Sequence, residues 1–194
     1  MDLIFATHNT NKVKEVDLLL PNDIRLISLE ELGFHEEIPE TEATLEANAQ
    51  LKADYISDRF GLPCFSDDTG LIIDALNGAP GVHTARYAGE EKDPEKNMEK
   101  VLKELRNISS REARFKTVIA LNFNNQKLLF DGIVEGTIAT KKIGDEGFGY
   151  DPIFRPEGYD QTFAELPLQV KNQISHRGKA FQKLINYLTK RKRF

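Results

Sequence analysis

Short apolar runs alternate along this chain with segments whose apolar residues fall at helical spacing. Leu3 to Ala6 reads as a strand, followed by a polar turn and a helix from about Lys12 with Val13, Val16 and Leu19 or Leu20 on one face. Ile24 to Ser28 reads as a second strand. After the acidic loop Glu36-Glu37-Ile38-Pro39-Glu40, Leu45, Ala49, Ala53, Ile56 and Phe60 predict a helix, with Thr41 as a candidate cap. Leu62 to Phe65 and Leu71 to Ile73 flank the polar run Ser66-Asp67-Asp68-Thr69-Gly70, and Asn77 to Gly81 reads as a turn-rich loop. Asp93-Pro94 opens a third helix, lined by Met98, Val101, Leu102 and Leu105. Phe115 to Ala139 reads as neighbouring antiparallel strands with turns at Asn124-Asn125 and Asp131-Gly132. A glycine-rich loop, Gly144 to Pro152, leads to a strand near Ile153-Phe154. The final helix carries Ala180, Phe181, Leu184, Ile185 and Leu188, with Ser175 able to cap it. The pattern predicts an α/β protein with a mixed sheet wrapped as two lobes around a cleft.

Composition narrows the classes. The chain has 194 residues, 40% of them hydrophobic, enough for a real core. The single cysteine, Cys64, lies in an apolar run, so neither a disulfide framework nor a four-ligand zinc spacing exists, and a reducing cytoplasm is the expected setting. The N-terminus has no basic leader, and no stretch approaches the ~18 apolar residues of a membrane helix. A net charge of −5 argues against a general nucleic-acid binder. The basic tail Lys190-Arg191-Lys192-Arg193 suits a solvated helix end.

Two adjacent carboxylates, Asp67 and Asp68, at the end of a buried strand need a cation, a proton or strong donors, which is the setting of a metal-assisted hydrolase; an Asp-Asp turn in water is the alternative. Thr7-His8-Asn9-Thr10-Asn11-Lys12 forms a polar turn at a helix start, where Lys12 and Lys14 oppose the helix dipole unless an anion reverses the sign. Ser175-His176-Arg177-Gly178-Lys179 repeats that anomaly, with Lys171 upstream, so one polyanion between two helix starts would explain both. Gly147-Phe148-Gly149-Tyr150-Asp151-Pro152 combines flat rings with close-approach glycines, as a base-binding wall does. No P-loop, Gly-x-Ser-x-Gly elbow or zinc spacing is present, and carboxylates suit Mg²⁺.

Taken together, Thr7-x-Asn9-x-x-Lys12, Ser66 to Gly70, Phe148 to Pro152 and Ile174 to Arg177 closely resemble the inosine/xanthosine triphosphate pyrophosphatase family. Gly78-Ala79-Pro80-Gly81 and Ala85-Arg86-Tyr87 extend the resemblance in the same order over essentially the whole chain. It implies one domain, residues 1–194, with an elongated mixed sheet flanked by helices, two lobes around an active-site cleft, and a cytoplasmic homodimer. The implied reaction is Mg²⁺-dependent hydrolysis of non-canonical purine triphosphates (ITP, dITP, XTP) to the monophosphate and pyrophosphate. By position, Thr7, His8, Asn9, Thr10, Asn11 and Lys12 would hold phosphates. Asp68 would be the general base and a metal ligand, and Glu40 the second metal-site acid. Thr69, Phe148, Gly149, Tyr150, Asp151, Lys171, His176 and Arg177 would complete the substrate site. Glu42 replaces a usual glycine and Ala47 a usual acid, which leaves Glu37 as an alternative to Glu40. A Maf-like pyrophosphatase of other base preference and a non-catalytic nucleotide sensor are the competing readings.

Overall fold

Leu3, Ile4 and Phe5 are all buried, which requires cover on both faces of the strand they form. In the computed structural model, which describes residues 1–191 without the Arg191 side chain, that strand is β1 (Asp2–Phe5). It pairs in parallel with β2 (Arg25–Ser28) and with β3 (Cys64–Ile73), in the registers Ile4↔Ile27 and Ile4↔Cys64. The sheet runs β2-β1-β3-β5-β6-β7, where β5 is Glu112–Phe123, β6 Gln126–Ile138 and β7 Phe154–Pro156; β4 (Pro80–Gly81) pairs antiparallel with β3. β6 and β7 are also antiparallel, so the sheet is mixed as expected.

The chain divides into two units. Unit 1 holds Met1–Asp68, Thr117–Gly132 and the chain from Arg177. One face of its sheet packs Leu3, Phe5 and Phe65 against α1 (Thr10–Asp17) and α5 (His176–Arg191), through Val16, Ala180, Phe181 and Leu184. Phe5 stacks on Phe65 at 4.4 Å, and Phe181 meets both edge-on. The other face packs Ile4, Ala6 and Cys64 against Ile56 of α2 (Leu45–Phe60). Odd positions of β1 and of the start of β3 therefore face α1 and α5, and even positions face α2.

Unit 2 holds Thr69–Lys116 and Ile133–His176. Its core gathers Leu71 and Ile73, Met98, Val101 and Leu105 around α3 (Pro94–Glu104), and Phe154 and Phe163. α4 (Leu168–Ile174) precedes Ser175.

The helix ends follow local chemistry. Asp93 caps α3 by accepting from Glu95 N and Lys96 N, with Pro94 at the first position. α2 ends at Gly61, whose φ of 65° lies in the left-handed region. Asn124 and Asn125, both at positive φ, make the two-residue turn between β5 and β6.

Several expectations need correction. Thr44, not Thr41, caps α2: its extended backbone directly precedes Leu45, and its hydroxyl accepts from Ala47 N at 3.1 Å. Asp131-Gly132 is no turn but lies inside β6, where Lys183 answers the Asp131 charge at 2.7 Å. The Asp-Asp run does not end a strand, because β3, ten residues long, continues through it to Ile73. Pro80 and Gly81, expected in a loop, pair with Ile72 and Leu71. α4 has too short an apolar pattern to have been anticipated. Ser175 is the extended C-cap of α4, directly before α5. Of the basic tail, Lys192 and Arg193 lie outside the described residues. Among the described residues no helix is long and apolar enough to cross a membrane.

Candidate active site

Strand alternation resolves the crowding of Asp67 and Asp68. An odd residue of β3, Asp67 joins Phe65 on the α1/α5 face, while Asp68 joins Cys64 and Ser66 on the α2 face. Ser66 donates its hydroxyl hydrogen bond to the Ala49 carbonyl, which ties β3 to α2 at that level.

On its face, Asp67 is met from two helix starts. Lys12 Nζ lies 2.9 Å from Asp67 Oδ1, and Arg177 Nε lies 3.4 Å from Oδ2. Arg177 also reaches Glu15 at 2.5 Å. Burial alone would favour the neutral acid, but the charges of Lys12, Arg177 and Lys52 outweigh it and hold the Asp67 carboxyl at about 2. Burial lowers the Lys12 ammonium despite the pull of Asp67. Of the cations expected at the two helix starts, Lys12 and Arg177 are therefore gathered on an internal anion.

On the opposite face stands Lys52 of α2, a buried lysine 2.8 Å from Glu40 and 3.5 Å from Asp68. Burial raises the Asp68 carboxyl above its ordinary value, and Glu40 and Asp67 add to this against Lys52 and Lys12. A carboxylate so shifted is a better proton acceptor than one in water. Lys52 is pushed up, burial notwithstanding, by Asp68, Glu40 and Asp67. The loop that brings Glu40 here is clasped by Asn48, whose side chain accepts from Glu42 N and donates to Glu42 O. Glu37 is exposed.

The turn before α1 is ordered by its own side chains. Asn9 Oδ1 caps the helix by accepting from Asn11 N and Lys12 N, and Thr7 Oγ1 accepts from Asn9 N. His8 Nε2 bonds the Glu36 carbonyl, and its ring stacks on Phe34. Thr10 and Asn11 are exposed.

In unit 2, Asp151 and Lys171 form a buried pair at 2.6 Å. The same Asp151 oxygen accepts from Phe148 N at 2.8 Å, and the Lys171 ammonium lies 5.0 Å from the Phe148 ring centre. Gly147 is obligatory: its φ is 78°, and a Cβ there would sit 2.1 Å from Asp151 Oδ2. Phe148 is half-buried, whereas Tyr150 is a core residue whose hydroxyl donates to the Thr84 carbonyl and whose phenol is pushed up by burial. His176 is buried too, its ring stacked 4.6 Å from Phe115. Gly149 sits at φ 63°, and Thr69 is half-buried in β3.

Sequence reasoning missed Lys52 and Glu15, and left Asp67 outside the site. A signal for Lys52 existed: positions 45, 49, 52 and 56 share one helical stripe, and a lysine on an otherwise apolar stripe calls for a buried acid. Glu15 lies one turn after Lys12, but its partner Arg177 is remote in sequence.

Residues 3–187 match the Ham1 family. A dITP/XTP pyrophosphatase of Flavobacterium johnsoniae is 55% identical over 97% of this chain and 98% of its own length. One from Bacillus subtilis is 47% identical, covering 96% of each chain. Among solved structures, the Staphylococcus aureus Ham1 protein superposes with a TM-score of 0.89 at 38% identity, over 98% of this chain and 100% of that one.

Proposed function

This chain belongs to the Ham1 family, and on that premise we propose that it hydrolyses non-canonical purine nucleoside triphosphates to the monophosphate and pyrophosphate. The observation that carries the chemistry is the meeting of Glu40, Lys52 and Asp68 on one face of β3. Asp68, with its raised carboxyl, is the group to orient and deprotonate the attacking water. In unit 1 the capped turn Thr7 to Lys12 is assigned to the phosphates, supported by the α1 N-terminus and its exposed polar side chains. The half-buried Phe148 ring, backed by Lys171 and Asp151, offers a flat face of the kind a base stacks on, which supports the place the family resemblance gives it in the substrate site.

Among the described residues, no three His, Cys, Asp or Glu side chains form a ready-made metal cage. The donor chemistry nevertheless fits Mg²⁺, which takes one or two carboxylates and completes its shell with water and substrate phosphate oxygens. Glu40 and Asp68 already converge on a single positive charge, which favours Glu40 over Glu37 as the second acid. Bound there, the ion would neutralise charge on the phosphates. A single catalytic domain, a homodimer and a cytoplasmic location belong to the same reading and rest on the family resemblance.

The test is phosphorus NMR of an ITP digest with kcat/KM measured across ITP, XTP, ATP and GTP. Pyrophosphate as the first product, and ITP and XTP favoured over ATP by roughly 5- to 150-fold for each mispaired base contact, are expected. Stepwise release of orthophosphate, or equal use of ATP and ITP, would overturn the assignment.

A further inference from the structure

Lys52 poses a problem of occupancy. Its ammonium stands between the carboxylates of Glu40 and Asp68, and the side chain is only 7% exposed. Its stem is fixed by its place on the buried stripe of α2, between Ala49 and Ile56. Ser66 anchors that helix to β3, and Asn48 anchors the loop bearing Glu40. All three groups are thus held by short, well-braced backbone. The largely buried Asp68 and the half-buried Glu40 repel each other without a cation, and a lysine ammonium and a divalent ion cannot both fill one position between them.

We infer that Lys52 is a resident counter-ion, holding the Glu40–Asp68 pair together in the nucleotide-free protein and competing there with divalent metal. The inference rests on the metal assignment made under the proposed function. Its consequence is an order of events: the pair is closed to bare metal until an anionic substrate takes over the ammonium. A triphosphate, with several negative charges, suits that exchange, and Lys52 need only swing its flexible end. This protects the protein from idle metal loading and from unpaired buried charge between turnovers. Lys52 is on this account a positioning residue for the acids, whatever it later touches.

The experiment is a Mn²⁺ titration of nucleotide-free protein followed by electron paramagnetic resonance, with thermal unfolding in parallel. Lys52→Gln should bind Mn²⁺ at least about tenfold more tightly than the parent, because the competing charge is gone. It should also unfold at a lower temperature without metal and recover when Mn²⁺ is added. Lys52→Arg should keep weak metal binding and parental stability. Lys52→Gln combined with Glu40→Gln should lose the tightened binding. Mn²⁺ affinity unchanged or weakened in Lys52→Gln overturns the inference, as does a Lys52→Gln protein that will not fold even in millimolar Mn²⁺. The titration contains no nucleotide, so it can succeed while ITP turnover by the parent fails, or the reverse.

Discussion

The two units treat buried charge in different ways. In unit 1, Lys12, Asp67, Arg177 and Glu15 share their charges on one face of β3, while Lys52, Glu40 and Asp68 do so on the other. In unit 2, Asp151 and Lys171 form a buried pair, with the ammonium 5.0 Å from the Phe148 ring centre and 5.8 Å from that of Phe163. A shared network can lose or exchange one contact and keep the rest, which suits groups that must meet a changing load of phosphate and metal. A buried pair set against aromatic rings, whose carboxylate also holds Phe148 N, ties its loop to one arrangement, which suits a fixed wall. The contrast follows from the general cost of burying charge: a pair is tolerated when complete and costly when broken.

The largest effect is expected at Asp68. Asp68→Asn should lower kcat for pyrophosphate release by about 10²- to 10⁴-fold with little change in melting temperature, since shape is kept and basicity lost. Near-parental kcat would remove Asp68 from the chemistry. Next, Asp151→Asn should cost about 3–5 kcal/mol in urea unfolding, because the buried Lys171 ammonium loses the carboxylate charge 2.6 Å from it. Asp151→Asn with Lys171→Met should recover much of that loss, and failure to recover would mean the pair is not the source.

The corresponding break in unit 1 should be milder. Asp67→Asn should cost about 1.5–3 kcal/mol, because Arg177 keeps Glu15 and Lys12 is the less buried partner. If it costs more than Asp151→Asn, the network does not share charge as described. The smallest effect belongs to Asp54. Burial would raise its carboxyl, but hydrogen bonds from Lys127, Asn122 and Gln50 outweigh this and hold it below its ordinary 3.8. A depressed acid stabilises the fold above its unfolded value and loses that contribution as pH falls through the folded value. Asp54→Asn should therefore cost a few tenths of a kcal/mol at neutral pH, after allowance for solvent screening. The difference from the parent should vanish in acid, and a difference that persisted there would deny the ionic origin.

Much of this was legible in the chain. The strand Leu3 to Ala6, the Asp93-Pro94 start and the Asn124-Asn125 turn are local signals, set by capping and backbone conformation, and each was read from neighbouring residues. Thr44 was missed because two threonines precede the helix and only the chain's path decides which one turns extended. Asp131-Gly132 misled because a turn dipeptide inside a long strand is overruled by pairing and by Lys183. At the candidate site, residue types were visible but partnerships were not. Lys12 and Arg177 read as cations awaiting a polyanion, while the contacts that place them on Asp67 span 55 and 110 residues. Tyr150 and His176 read as substrate-site groups, and nothing local showed that both are buried in unit 2, Tyr150 in its core and His176 against Phe115.

The placement of neighbouring aspartates on opposite faces of β3 makes the site a matter of reading frame. Each acid reaches its partners only because of the parity of its position counted from Cys64. Deleting or inserting one residue between Cys64 and Asp67 would turn each aspartate to the opposite face: a deletion would bring Asp68 to the level of Lys12 and Arg177, and an insertion would bring Asp67 to the level of Lys52. A change of length here would therefore disturb both faces of the strand at once, whereas a substitution disturbs one.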